Sequence, residues 1–238
     1  LTVAEKAALA SAESVLRGYV LAEVDRYTTG GRHPPSPTDC RVLAFSQVRE
    51  AIVVTDDLGM HLLAQDFEIP IWHGWELLDK IKQIAEPYGM ELLPEIHECY
   101  REKIYEKISE QGYVTYDFFL PGLIIDALES GNGEHLAGWA QELIDKNIRT
   151  VNMLGCHDGI PLLDLKGILA EERIQKLIDI IVSRGGYVKD LHGQKNIYYQ
   201  VNATYFSALG EDERKMLLAR ALQIFMPGKP QIWYLDLF

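Results

Sequence analysis

From residue 74 onward, short apolar segments alternate with amphipathic stretches of helical period, and this alternation limits the possible fold more than any other feature of the chain. Residues 75–85 place Leu78, Ile81 and Ile84 on one helical face and stop before Pro87 and Gly89. Residues 90–97, MELLPEIH, read as a buried strand, and 98–112 as an amphipathic helix closed by Gly112. VTYDFF (114–119) follows as a strand, 133–146 as a helix, and TVNMLGCHDG (150–159) as a strand running out into polar residues. Further helices are predicted at 170–186, with Ile174, Leu177, Ile178 and Ile181 in line, and at 211–225; PQIWYLDLF (230–238) supplies a last strand. Four strands separated by helices imply an α/β fold of βα units with a parallel sheet. Periodicity leaves two versions open, a doubly wound layer and part of a (β/α)8 barrel. Neither GxGxxG nor GxxxxGK[ST] occurs, so nucleotide-binding versions lose their usual support.

Residues 1–73 have a different character. They hold one Lys and five Arg, against eleven Lys and six Arg in residues 74–238. Residues 3–26 repeat Ala and Leu at helical spacing, whereas TTGGRHPPSPTDC (28–40) cannot continue a helix. Residues 51–54 supply one strand. The expected organisation is an atypical N-terminal segment over 1–73, of unclear origin, followed by a second region over 74–238.

Charge and composition narrow the function. Lys and Arg number 23 against 35 Asp and Glu, a net charge of −12, which is a poor basis for binding a polyanion. With 47% hydrophobic and 24% charged residues the chain is not wholly disordered. No apolar run approaches the ~20 residues of a membrane span, and LTVAEKAALASAESVL has no basic segment leading into an apolar core. Cys40, Cys99 and Cys156 form neither a metal-ligand spacing nor an even disulfide framework. The expectation is an acidic cytoplasmic protein with no nucleic-acid or membrane partner.

Two sites place acidic residues where apolar strands end. Glu95 and His97 follow Leu92-Leu93, and His157-Asp158 follow Met153-Leu154. In parallel α/β sheets the carboxyl ends of the strands form the floor of the active site. A carboxyl group in a partly apolar mouth is raised in pKa by desolvation, as a general acid requires. Taken one at a time, a helix cap or a loop hydrogen bond explains either carboxylate better than catalysis does.

Taken together, EIHECY, YDFFLPGLIIDAL, HDGIPLLDLKGIL, YYQVNATYFSALG and MPGKPQIWYLDLF resemble the sucrose phosphorylase family of the alpha-amylase superfamily, over roughly residues 75–238. The resemblance implies the second half of a (β/α)8 barrel, approximately strands 5–8. It implies transfer of a glucosyl unit from sucrose or a related glucoside to inorganic phosphate with retention of configuration. It calls for no metal and no cofactor. Glu95 then matches the general acid/base, Asp158 the carboxylate that stabilises the oxocarbenium-like transition state, and His157 the histidine that binds the same hydroxyls. Tyr199 and Gln200 match a mobile loop shaping the acceptor subsite, and Ile96 and His97 line the same side.

Retaining transfer needs a carboxylate nucleophile ~5–5.5 Å from the acid/base. Asp56 and Asp57 stand at a comparable sequence spacing before Glu95, but Val54-Thr55 occupy the place of the family's arginine, and an early Asn-His motif is missing. A fusion, an internal rearrangement or a shifted reading frame would each explain residues 1–73. The expectation is therefore an incomplete chain, weakly active or inactive. Two alternatives stay open: an unusual retaining glucoside phosphorylase or hydrolase that recruits Asp56 or Asp57, and a non-catalytic sugar-binding or self-associating remnant, for instance a homodimer. Ile197 and Tyr198 depart from the familiar acceptor-loop pattern, so the donor is open among sucrose, its phosphate ester and glucosylglycerate-type compounds.

Overall fold

The computed structural model describes residues 1–28, 33–190 and 198–236, with only the backbone of Lys189, Asp190, Tyr198 and Tyr199. The chain divides into two compact units, Leu1–Glu91 and Leu92–Phe238. The change in Lys and Arg usage near residue 73 falls inside the first unit.

In the first unit, α1 (Val3–Ala22) opens with a capping box: Thr2 Oγ1 accepts from Glu5 N, and Glu5 Oε2 accepts from Thr2 N. Leu9, Leu16 and Val20 form its buried stripe. The helix breaks at Glu23 before the short α2 (Val24–Tyr27), so the helix predicted over 3–26 is present in two pieces. α3 (Pro37–Arg49) starts from a second box, Ser36 with Asp39, and has Pro37 in its first turn, where a missing N–H costs nothing. Neither α3 nor α4 (Leu58–Asp66) was predicted: apolar residues are sparse in α3, and α4 is too short to show a period. The core of the unit gathers Leu16, Tyr27, Leu43 and Leu63, all at most 1% exposed. β1 (Val53–Val54) pairs in parallel with β2 (Ile71–Trp72). α5 (Gly74–Ala85) forms where expected, yet its apolar stripe stays wet, with Ile81 42% and Ile84 67% exposed.

The second unit holds a parallel sheet of order β3–β4–β8, from Thr115–Asp117, Thr150–Asn152 and Lys229–Pro230. Two of the four predicted strands, at 114–119 and 150–159, are thus present and parallel as expected, and β8 meets the last prediction only at Pro230. The first, MELLPEIH, is absent: residues 90–99 have no regular structure. Pro94 has no N–H to give a ladder, and Leu93 is 37% exposed. The last strand is also shorter than predicted. It ends at Pro230, Gln231 N donates once more to the Asn152 carbonyl at 2.7 Å, and the chain then turns through Tyr234–Asp236.

Between the strands run α6 (Ile104–Glu110), α7 (Leu120–Ser130), α8 (Glu134–Asp145), α9 (Glu171–Ser183), the short α10 (Tyr205–Ala208) and α11 (Glu213–Phe225). α7 was not predicted as a helix. It is almost uniformly apolar, and Leu120, Leu123, Ile124 and Ile125 are fully buried, so it has no polar face to reveal a period. A second, antiparallel sheet of order β5–β7–β6 was also unforeseen, built from Ile160–Pro161, Tyr198–Asn202 and Tyr187–Asp190.

Asp117 fastens these layers. Its carboxylate accepts from Phe119 N, Leu120 N and the Trp139 indole N–H, at 3.2, 2.9 and 3.0 Å, so one buried group caps α7 and ties β3 to α8. Burial pushes its pKa up to about 6, against those three N–H donors.

Candidate active site

The turn after β4 carries the first two candidates. Met153 and Leu154 are 1% exposed and anchor it, after which Gly155-Cys156-His157-Asp158-Gly159 crosses to β5. Both glycines are required by close approach. A Cβ on Gly155 would stand 2.5 Å from Asp236 Oδ1, and one on Gly159 would stand 2.5 Å from Asn202 Oδ1. Asp236 is itself held by Arg220 at 2.7 Å, and this pair braces the turn from α11. Within the turn, Asp158 N donates to Cys156 Sγ at 3.4 Å. Burial raises the Cys156 thiol, so it is a packed acceptor rather than a thiolate nucleophile.

Glu95 reaches the same place from the irregular segment after Pro94. One oxygen each from Glu95 and Asp158 and one ring nitrogen of His157 lie within 4.8 Å of one another. The side chains of Glu95, His157 and Asp158 are 44%, 65% and 30% exposed, so the desolvated mouth expected around Glu95 is not found. Glu95 and His157 line an open cleft with Tyr116, Phe118, Cys156, Gln231 and Trp233. Two carboxylates and an imidazole beside an aromatic wall form a set that can grip the hydroxyls of one sugar ring, and the spacing would also span a small cation.

The other candidates distribute as follows. His97 lies behind Glu95, its Nε2 at 3.8 Å from Glu95 Oε1 and its Nδ1 at 3.5 Å from Asp164 Oδ2. Its ring stacks on Phe118 with centroids 3.8 Å apart. Ile96 points to a different, apolar cavity with Ile104, Tyr105 and Ile108. Gln200 is 2% exposed and lies on β7 opposite Pro161, which places the segment assigned to a mobile loop in the centre of a sheet. Tyr199 shares that strand, and its side chain lies outside the described residues, as do Ile197 and His192.

Asp56 and Asp57 belong to the first unit, and both are engaged. Asp57 Oδ1 accepts from Met60 N at 2.8 Å as the N-cap of α4, and Asp56 Oδ1 accepts from Gly74 N at 3.0 Å beside His73. These are the capping roles that such residues fill most often.

Sequence reasoning missed Asp164, Gln231 and Trp233. Tyr234, next to Trp233, is 57% exposed. Asp164 did leave a signal: it is a lone acid inside the apolar run Ile160-Pro161-Leu162-Leu163-Asp164-Leu165.

Among known proteins, the chain is 53% identical over 173 residues to a sucrose 6(F)-phosphate phosphorylase of Ilumatobacter coccineus, a match covering 69% of this chain and 33% of that protein. The matched part of the chain is homologous to sucrose phosphorylases. A sucrose phosphorylase of Streptococcus mutans is 40% identical over 164 residues, again 33% of its length. The crystal structure of sucrose 6F-phosphate phosphorylase from Thermoanaerobacter thermosaccharolyticum superposes with a TM-score of 0.63 at 34% identity, over 82% of this chain and 40% of that one. The chain thus spans about a third of the length of the curated sucrose phosphorylase relatives it matches. No family model matches it. Among the described residues, no helix is long and apolar enough to cross a membrane.

Proposed function

We propose that residues 92–236 carry the acid/base side of a glucoside phosphorylase site, built on the later strands of a (β/α)8 barrel. The observation that carries this reading is the convergence of Glu95, His157 and Asp158 within 4.8 Å beside the Trp233 wall. Glu95 serves as general acid toward the leaving sugar oxygen and then as general base toward phosphate. Asp158 and His157 hold the hydroxyls of the glucosyl ring, and Asp158 offsets the positive charge that develops in an oxocarbenium-like transition state. Gln200 and Tyr199 belong to the acceptor side. Sucrose and sucrose 6F-phosphate are the donors that the relatives' names support.

Asp57 caps α4 and Asp56 accepts from Gly74 N, and the nucleophile is taken to be the missing component. Without a covalent nucleophile the two-step retaining route is closed, and the chain is expected to bind glucosides and turn them over weakly or not at all. The test is phosphate-dependent release of glucose 1-phosphate from sucrose and from sucrose 6F-phosphate, with Glu95→Gln as control. Release that the control abolishes would refute the missing-nucleophile part of the reading. It would make Asp56 or Asp57 the residue to trap as a glucosyl adduct. The outer strands β3 and β8 leave a route for self-association through sheet edges. A monomer by sedimentation at high concentration would count against that.

A further inference from the structure

Glu95, His97 and Asp164 form a row that runs from the cleft into the core, with side chains 44%, 13% and 1% exposed. The Asp164 carboxylate is wholly buried, and burial raises its pKa against the imidazole of His97 and the backbone N–H groups of Asp164 and Glu98. A carboxylate so buried takes whatever donor lies within reach, and His97 Nδ1 stands 3.5 Å away. The ring cannot turn freely to offer another edge, because Phe118, 4% exposed, stacks on its face at 26° between planes. Which imidazole nitrogen carries the proton is set by the hydrogen bond made at the other end of the ring.

We propose that Asp164 is a positioning residue of the candidate site: it fixes His97 as the Nδ1–H tautomer and so presents a bare Nε2 to Glu95 Oε1. In that arrangement His97 is an acceptor for the carboxylic acid form of Glu95, which holds the acid's orientation while its other oxygen faces the cleft. A proton on Nε2 would make His97 a partner for the carboxylate form instead. The inference rests on Glu95 being the acid/base, but the tautomer can be read without any turnover, so the two can fail separately.

The experiment is nitrogen-15 NMR of the chain labelled at histidine, with His97 assigned by the resonances lost in His97→Gln, recorded at about pH 8, above the range in which an ordinary imidazole titrates. The expected result is a protonated Nδ1 and an unprotonated Nε2. A proton on Nε2 in the native chain, with or without one on Nδ1, would overturn the proposal with no further variant needed. Asp164→Asn keeps an acceptor and should keep the native pattern. Asp164→Leu, if its other histidine resonances are unmoved, should lose the Nδ1–H signature and shift the proton to Nε2. A native pattern in Asp164→Leu would equally overturn it.

Discussion

Replacing Glu142 by Gln should cost the second unit about 2 kcal/mol at neutral pH, and the cost should fade in acid. Glu142 lies on α8, where Tyr100 and Tyr105 donate their hydroxyls at 2.5 and 2.7 Å and the Lys146 and Lys103 amines approach at 2.7 and 3.3 Å. Burial alone would raise its pKa, but the hydrogen bonds from Lys146, Tyr100 and Tyr105 and the charge of Lys103 outweigh it and bring the carboxyl from 4.5 down to about 2. At ~1.4 kcal/mol per pH unit that depression is worth about 3 kcal/mol. Lys146 and Lys103 are 42% and 36% exposed, and solvent screening of their charges brings the expectation to about 2 kcal/mol. The sign follows from the direction. A pKa lower in the folded than in the unfolded chain stabilises fully above the unfolded value, and that stability is lost as pH falls toward the folded one; roughly half should remain at about pH 3. The assay is urea unfolding of native chain and variant at pH 7 and pH 3, followed by Trp139 emission with Trp72, Trp75 and Trp233 replaced by Phe. A native-to-variant difference that is the same at both pH values, or below ~0.5 kcal/mol at pH 7, would refute the reasoning.

Three further outcomes are expected. Asp117 has a pKa raised from 3.8 to about 6 in the fold, so its ionisation should remove about 3 kcal/mol of stability as pH rises from ~4 to ~6. Asp117→Asn should flatten that part of the stability curve in urea unfolding, and an unchanged slope would contradict it. Gly159→Ala puts a Cβ 2.5 Å from Asn202 Oδ1 and 2.7 Å from the Val201 carbonyl. It should cost ~1–3 kcal/mol and displace the turn bearing Asp158; unaltered thermal stability and glucoside binding would speak against the packing described. Asp57→Ala should cost the first unit about 1 kcal/mol in urea unfolding through loss of the α4 cap, with Asp57→Asn restoring it, and equal losses in both would argue that Asp57 is no cap.

α1, α5, α6, α8, α9 and α11, with the strands β3 and β4, were legible from the alternation of apolar segments with stretches of helical period. α9 announces itself through Ile174, Leu177, Ile178 and Ile181, and all four are buried. α7 and β7 were not legible for opposite reasons: α7 is dry nearly all round, whereas Tyr198-Tyr199-Gln200-Val201-Asn202 mixes polar and apolar residues without alternation, and it buries Gln200 beside Val201. MELLPEIH has the composition of a strand, and Pro94 spoils its pairing. Within the site, Glu95, His157 and Asp158 stood out because acid and imidazole groups follow apolar pairs, and the family resemblance gave them roles. Asp164 acts on Glu95 only through a ring contributed by another segment. Trp233 and Gln231 reach the cleft because the chain leaves β8 early. Such juxtapositions depend on tertiary packing, which sequence spacing does not encode.

Glu95, His157 and Asp158 are proposed to hold one glucosyl ring against Trp233. The decisive experiment titrates sucrose and sucrose 6F-phosphate into the folded chain while following Trp233 emission, with Trp72, Trp75 and Trp139 replaced by Phe. A saturable change is expected with at least one donor, weakened ~tenfold or more in His157→Ala and in Asp158→Ala, as the loss of a charge-assisted hydrogen bond requires. No saturable change in the folded chain, or a titration indifferent to both substitutions, would contradict it.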